Sequence, residues 1–118
     1  MLHHVAIICS SEKSIAFYEL LGFVETERIN RPDNHDIIVW MKGEGITLEL
    51  FIDNTHPERV TNPEANGLRH IAFSVDNLEH VWELFKDYSP ELIRQDSVTG
   101  EKLFFVKDPD GVPVEIRE

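Results

Sequence analysis

The second half of the chain repeats the first at an offset of 66 residues. The segment LHHVA (residues 2–6) aligns without a gap with LRHIA (residues 68–72), and the same offset aligns Glu49 with Glu115. It also pairs Gly45 with Gly111, and residues 46–50 with residues 112–116. Two units of about sixty residues are too few for a solenoid. The repeat therefore predicts a duplicated domain with a pseudo-twofold axis.

Length and charge limit what such a domain can bind. The 118 residues are 42% hydrophobic and 28% charged, which is typical of one globular domain. A net charge of −11 repels phosphate backbones and anionic lipid, so we expect a small-molecule partner rather than nucleic acid or membrane. No signal-peptide or transmembrane pattern is present. The single cysteine, Cys9, excludes an internal disulfide, and we expect a cytoplasmic protein.

Each half has the same predicted order, β-α-β-β-β, and the fold class is α+β. The predicted strands are 2–9, 24–28, 36–41, 46–52, 68–75, 92–95, 103–107 and 112–117. The predicted helices are one opened by Ser10 or Ser11 and stopped by Gly22, and one over 78–88. Residues 53–67 are polar with two prolines and are typical of a linker. We therefore predict one domain over 1–118, with module one at 1–52 and module two at 68–118.

Four polar residues of the repeat fall on one predicted sheet face, since alternate strand residues point the same way. They are His4, Glu49, His70 and Glu115. One carboxylate on a strand is usually only solvent-facing, but two histidines and two glutamates at one offset indicate a shared site. Such donors suit Zn²⁺, Ni²⁺, Co²⁺ or Mn²⁺. Alternation places His3 on the opposite face, outside this site.

Four further residues are weaker candidates for substrate binding. Trp40 and Phe51 carry aromatic rings that can line a substrate site, although packing in the sheet explains them equally well. Arg69 and Arg117 can bind a substrate carboxylate, with surface solvation as the alternative.

Several segments resemble the vicinal oxygen chelate superfamily, and in particular its glyoxalase-I-like, or lactoylglutathione-lyase-like, branch. They are LHHVAI, LELF, GLRHIAFSVDNLEHV and FFVKDPDGVPVEI, and the resemblance covers nearly the whole chain. It implies two βαβββ modules that form an open, cup-shaped barrel around one divalent metal, most typically Zn²⁺ or Ni²⁺. It also implies that His4, Glu49, His70 and Glu115 are the metal ligands, and that the protein is a homodimer.

The resemblance further implies a metal-dependent lyase or isomerase. Its substrate would be a 2-oxoaldehyde–thiol hemithioacetal or a similar α-hydroxycarbonyl compound, and the metal would stabilise an enediolate. Symmetry does not choose between Glu49 and Glu115 as the catalytic base, and the resemblance favours Glu115. Two alternatives stay open: an acyl-thioester epimerase of the same superfamily, and a non-catalytic small-molecule binding protein of the drug-resistance type.

Two positions differ from glyoxalase I, the enzyme that this branch is named for. That enzyme has an arginine four residues after the first histidine and an asparagine four residues after the first glutamate. Here these positions are Ile8 and Asp53. Both differences remove groups that would hold a glutathione carboxylate, and an aspartate repels one. We therefore expect a thiol other than glutathione, or none.

Overall fold

The computed structural model describes residues 1–118, which form two compact units, Met1–Glu58 and Arg59–Glu118. We call these the first unit and the second unit. Each unit contains one four-stranded mixed sheet and one α-helix. The boundary between them lies inside the polar segment 53–67.

The first unit follows the predicted β-α-β-β-β order. Its elements are β1 (Val5–Cys9), α1 (Lys13–Glu19), β2 (Val24–Arg31), a 3₁₀ turn (Pro32–Asn34), β3 (Asp36–Lys42) and β4 (Thr47–Ile52). The sheet order is β1-β4-β3-β2, with β1 parallel to β4 and the other pairs antiparallel.

The second unit repeats this topology. Its elements are β5 (Ile71–Ser74), α2 (Leu78–Leu84), a 3₁₀ turn (Lys86–Tyr88), β6 (Arg94–Gln95), β7 (Lys102–Lys107) and β8 (Pro113–Arg117). The sheet order is β5-β8-β7-β6, with β5 parallel to β8. The α+β class is confirmed. Each α-helix has only seven residues, too few to cross a lipid bilayer.

Alternation along the inner strands separates the core from the other face, as the sequence predicts. On β4, Leu48, Leu50 and Ile52 are buried, whereas the residues between them are only partly buried. On β1, Ile7 and Cys9 are buried while Ala6 and Ile8 are exposed. The buried face of α1 carries Ser14, Ile15, Phe17 and Tyr18 and completes the core of the first unit.

The first strand of each unit is shorter than predicted. Residues 2–4 precede β1 and residues 68–70 precede β5, since the parallel ladders with β4 and β8 begin only at the pairs Val5–Leu48 and Ile71–Val114. Those partners, β4 and β8, begin just after Gly45 and Gly111, which turn the chain at φ +77° and +85°. Both histidines of the predicted site therefore lie just before a strand rather than within it.

The helix predictions also need correction. The residue at the N-cap of α1 is Glu12, not Ser10 or Ser11, and its side chain makes no capping bond. The hydroxyl of Ser11 instead accepts a hydrogen bond from the Lys13 backbone N–H at 3.3 Å. The second helix ends at Leu84 and continues only as a 3₁₀ turn to Tyr88. Its N-cap is Asn77, whose side chain accepts from the His80 backbone N–H at 3.1 Å.

Candidate functional site

The first unit brings His4 and Glu49 together. The Nε2 atom of His4 lies 3.3 Å from Oε1 of Glu49, and 32% of the histidine side chain and 13% of the glutamate side chain are exposed. The ring of Trp40 contacts the His4 ring edge-on, with centroids 4.9 Å apart. Trp40 reaches this position because it is the β3 partner of Glu49.

The second unit contains a matching pair, His70 and Glu115. Nε2 of His70 lies 3.7 Å from Oε1 of Glu115, with side chains 28% and 12% exposed. Phe105, the β7 partner of Glu115, contacts the His70 ring edge-on at 5.1 Å between centroids. Both units therefore build the same cluster: a histidine before the first strand, a glutamate in the last strand, and an aromatic ring beside them.

Backbone register explains why the two clusters match. Ala6 pairs with Glu49 across β1 and β4, and Ala72 pairs with Glu115 across β5 and β8. In each unit the histidine stands two residues before that alanine, and its Nε2 atom lies 3.3 Å (His4) or 3.7 Å (His70) from Oε1 of the glutamate. Residues that are 66 positions apart in the sequence therefore occupy equivalent positions in the two sheets.

The surroundings of the two glutamates differ. Oε2 of Glu115 accepts a hydrogen bond from Nη1 of Arg117 at 3.0 Å. At the position equivalent to Arg117 the first unit has Phe51, which lies beneath the Arg31 guanidinium at 5.3 Å. Arg117 also contacts three other acceptors: Glu101 at 2.7 Å, Asp96 at 3.2 Å and Thr99 at 3.2 Å. These hydrogen bonds, chiefly those to Glu101 and Glu115, raise the pKa of Arg117 above its ordinary value and keep it charged.

His3 lies beside the first cluster, contrary to the prediction from alternation. Its Nδ1 atom is 2.8 Å from Nδ1 of His4, and the rings meet edge-on at 5.0 Å. The prediction was wrong because residues 1–4 precede β1, so strand alternation does not orient them.

Residues 1–116 match the Glyoxalase/Bleomycin resistance protein/Dioxygenase superfamily. The chain belongs to this superfamily. Its architecture agrees with this assignment, because each of the two units has the βαβββ order that the sequence resemblance implies.

Relatives within the superfamily match the whole chain. It is 43% identical over 123 aligned residues to "Uncharacterized protein YwkD" of Bacillus subtilis (strain 168), covering 99% of this chain and 95% of that one. It is 28% identical to "Lactoylglutathione lyase" of Salmonella typhimurium, covering 100% and 91%. A solved glyoxalase family protein from Enterococcus faecalis is 39% identical, with a TM-score of 0.89, covering 100% and 97%.

Members of this superfamily commonly bind a divalent metal, and the donor types here fit one. Nowhere in residues 1–118 do three or more His, Cys, Asp or Glu side chains form a group able to hold a metal ion. Each unit instead offers a pair: one imidazole nitrogen and one carboxylate oxygen, both largely shielded from water. Mixed nitrogen and oxygen donors of this kind suit Zn²⁺ and its neighbours rather than Mg²⁺ or Ca²⁺.

The hydrogen bonding of His70 shows what binding at Nε2 requires. Nη1 of Arg69 lies 3.1 Å from Nδ1 of His70, and a guanidinium can only donate, so Nδ1 accepts and the ring proton is on Nε2. Metal coordination through Nε2 would require that lone pair, so the ring proton would have to move to Nδ1 and Arg69 would have to release Nδ1. Glu64 already binds Arg69 at 2.9 Å and can retain it.

A cavity of about 940 Å³ opens beside His70 and Glu115 within the second unit. Arg69 and Phe105 are among its lining residues. This volume is within the range of small-molecule sites. The second cluster therefore lies where a small substrate can reach it.

The four proposed substrate-binding residues have different environments. Trp40 lies against His4, and Arg69 lines the cavity. Phe51 lies beneath Arg31, and Arg117 is surrounded by acceptors that include Glu115. A role in substrate binding stays a prediction for all four.

Sequence reasoning missed Phe105, the counterpart of Trp40. These residues are 65 positions apart, not 66, because the turn before β8 has one residue more than the turn before β4. Aligning the two predicted hairpins strand by strand, rather than at one fixed offset, would have found it.

Proposed function

We propose that this protein is a metal-dependent glyoxalase-like enzyme, a lyase or isomerase of small α-hydroxycarbonyl compounds such as 2-oxoaldehyde–thiol hemithioacetals. The observation that carries the proposal is the pair His4–Glu49 and its register-equivalent, His70–Glu115. Identity to the lactoylglutathione lyase of Salmonella typhimurium, though only 28%, supports the reaction class. We further propose a cytoplasmic homodimer, since superfamily members are often dimers.

In this proposal His4, Glu49, His70 and Glu115 hold one divalent ion, with Zn²⁺ or Ni²⁺ favoured. When bound, the ion supplies a Lewis acid that makes the C–H beside a substrate carbonyl more acidic. The residues themselves orient the donor atoms: strand pairing fixes both glutamates, and aromatic contacts from Trp40 and Phe105 restrict the imidazole rings.

Glu115 is the proposed base. It is shielded from water, and it lines the cavity that a substrate can enter. Arg117 holds Oε2, so Oε1 is the oxygen available to accept a proton from one carbon and return it to the neighbouring carbon. A carboxylate fixed in this way needs little reorganisation during proton transfer.

Metal content tests the proposal. We expect about one Zn²⁺ or Ni²⁺ per site in the reconstituted protein, and a large loss of occupancy in His70→Ala and Glu49→Ala. The matched controls are His80→Ala, at an exposed position of α2, and Glu44→Ala, in the exposed turn between β3 and β4. Elemental analysis after dialysis gives the occupancy. Full occupancy in both site variants would contradict the proposal.

Activity is then screened with the loaded protein. Hemithioacetals of several thiols and acyl thioesters are compared, since the second group tests the epimerase alternative. Isomerisation of a hemithioacetal that disappears on chelation supports the proposed reaction. Turnover of acyl thioesters alone would assign the protein to the epimerase class instead.

A further inference from the structure

The cavity of the second unit concentrates positive charge in an acidic protein. Residues 59–118 contain seven lysines and arginines against twelve aspartates and glutamates. Four of the seven cations line the cavity: Arg59, Arg69, Arg94 and Lys107. Only three of the twelve carboxylates do so. The lining of the cavity is therefore net positive, whereas the rest of the second unit is net negative.

Two of these cations already have partners within the protein. Arg69 forms a salt bridge with Glu64 at 2.9 Å. Arg59 donates from Nη2 to the backbone carbonyls of Leu68 and Arg69, at 3.0 and 2.9 Å. These two arginines shape the wall of the cavity.

The other two cations, Arg94 and Lys107, form no salt bridge with any residue of the chain. The guanidinium of Arg94 lies over the Phe105 ring, 5.9 Å from its centroid. Lys107 follows Phe105 by two positions on β7, so both side chains leave the same face of the strand. An unpaired arginine and an unpaired lysine thus flank one aromatic ring.

That ring also joins the cations to the candidate metal ligands. His70 contacts Phe105 at 5.1 Å between centroids, and Glu115 is its partner across β7 and β8. A small molecule held at His70 and Glu115 can extend along the Phe105 side chain, with its other end at Arg94 and Lys107. An anionic end would gain charge-assisted hydrogen bonds there, and a neutral end would not.

We infer that the substrate carries an anionic group, a carboxylate or a phosphate, which Arg94 and Lys107 bind beside the Phe105 side chain. This inference rests on the proposed function, because it takes the reacting end of the substrate to lie at His70 and Glu115. It names the substrate class: an acidic α-hydroxycarbonyl compound rather than a neutral one.

Two pairs of ligands that differ only in the anionic group test the inference. Dihydroxyacetone phosphate is compared with dihydroxyacetone, and hydroxypyruvate with hydroxyacetone. Titration calorimetry on the metal-loaded and chelator-treated full chain measures each affinity. We expect the anionic member of at least one pair to bind about tenfold or more tightly in both forms, with a preference that falls as salt is raised. A preference within the dihydroxyacetone pair would indicate a phosphate site, and a preference within the hydroxypyruvate pair would indicate a carboxylate site.

Matched variants locate the anion site. Arg94→Gln combined with Lys107→Gln should remove the preference, and Arg94→Lys should retain much of it. The control, Lys13→Gln combined with Lys86→Gln, removes the same charge at two exposed positions outside the cavity and should leave the preference unchanged. A preference that survives in the Arg94–Lys107 variant would overturn the inference, and so would equal affinities within both pairs.

The two forms of the protein separate this inference from the proposed function. Anion preference without any metal-dependent binding of the hydroxyketones would overturn the proposed function and leave an anion site. Metal-dependent binding with no anion preference would overturn the inference alone. No binding of either anionic ligand in either form would also overturn it.

Discussion

At the scale of single residues, Glu49 and Glu115 are equivalent by repeat but not by environment. Both face an imidazole nitrogen and both are mostly buried. Only Glu115 has an arginine on its second oxygen; the first unit has Phe51 at that position. In the proposed site, Glu49 would therefore mainly hold the metal, and Glu115 would also move a proton.

Glutamine substitutions test this division. Glu115→Gln keeps the size and one coordinating oxygen but removes the basic group, so we expect most of the metal to stay and kcat to fall by at least ~10²-fold. Glu49→Gln should mainly weaken metal binding or change metal preference. The measurement is kcat at saturating metal on the substrate that the activity screen finds. An inactive, metal-loaded Glu49→Gln beside a nearly normal Glu115→Gln would reverse the assignment, and activity in both would exclude proton transfer by either group.

The repeat was enough to select the two histidines and two glutamates from the sequence, and the structure brings each histidine to its own glutamate. The repeat was not enough to identify the residues around these four. At the same offset Phe105 and Lys107 align with Val39 and Met41, because the second hairpin has a longer turn. Arg94 aligns with Arg28, but the repeat alone does not indicate that Arg94 lies near the site. Their proximity to His70 depends on strand register, which a single sequence does not specify in advance.

At the scale of elements, local signals predicted the order β-α-β-β-β correctly but misplaced several ends. The strand predicted at 68–75 shortens to Ile71–Ser74, because its ends depend on β8, a strand more than thirty residues later in the sequence. The turn at Gly111 sets where β8 begins. Local sequence patterns do not reveal which residues pair across such a distance.

The β2–β3 hairpin contains an ion pair whose effect on stability depends on pH. Arg31 and Asp36 are partners in register, and the guanidinium donates to both carboxylate oxygens, at 2.8 and 2.7 Å. This hydrogen bonding holds the pKa of Asp36 below its ordinary value. Since the pKa is lower in the folded chain than in the unfolded one, the pair stabilises the fold above the unfolded pKa of about 3.9, and this is lost as pH falls through the folded pKa.

Asp36→Asn should therefore lower the free energy of unfolding at pH 7. The difference from wild type should shrink as pH falls below about 3.9, where the carboxylate of the unfolded chain becomes protonated, and should be lost as pH falls through the lower pKa of the folded chain. Urea unfolding in the presence of chelator measures this without any contribution from metal. Asp33→Asn, at an exposed position in the same turn, is the control and should change stability little at either pH. A deficit in Asp36→Asn that is constant with pH would show that charge is not its cause.

At the scale of the whole molecule, charge bears on which thiol or acid the protein accepts. The chain is acidic overall, yet the second unit presents Arg94 and Lys107 to its cavity. The first unit differs at the positions where glyoxalase I carries arginine and asparagine. Ile8 is 51% exposed and offers no donor. The Thr55 hydroxyl, 2.8 Å from the Asp53 carboxylate, holds the pKa of Asp53 below its ordinary value and keeps it negative.

We therefore expect the metal-loaded protein to turn over the methylglyoxal–glutathione hemithioacetal weakly or not at all. Ile8→Arg combined with Asp53→Asn should raise kcat/KM for that substrate by about tenfold or more, since one change adds a cation and the other removes an anion beside the expected glutathione carboxylate. The control, Val98→Arg combined with Asp33→Asn, makes the same change in net charge at exposed positions elsewhere and should have little effect. Initial rates at several ionic strengths distinguish local recognition from general attraction, because the general effect is screened by salt. Efficient turnover by the wild-type protein would contradict the prediction, as would an equal gain in the control.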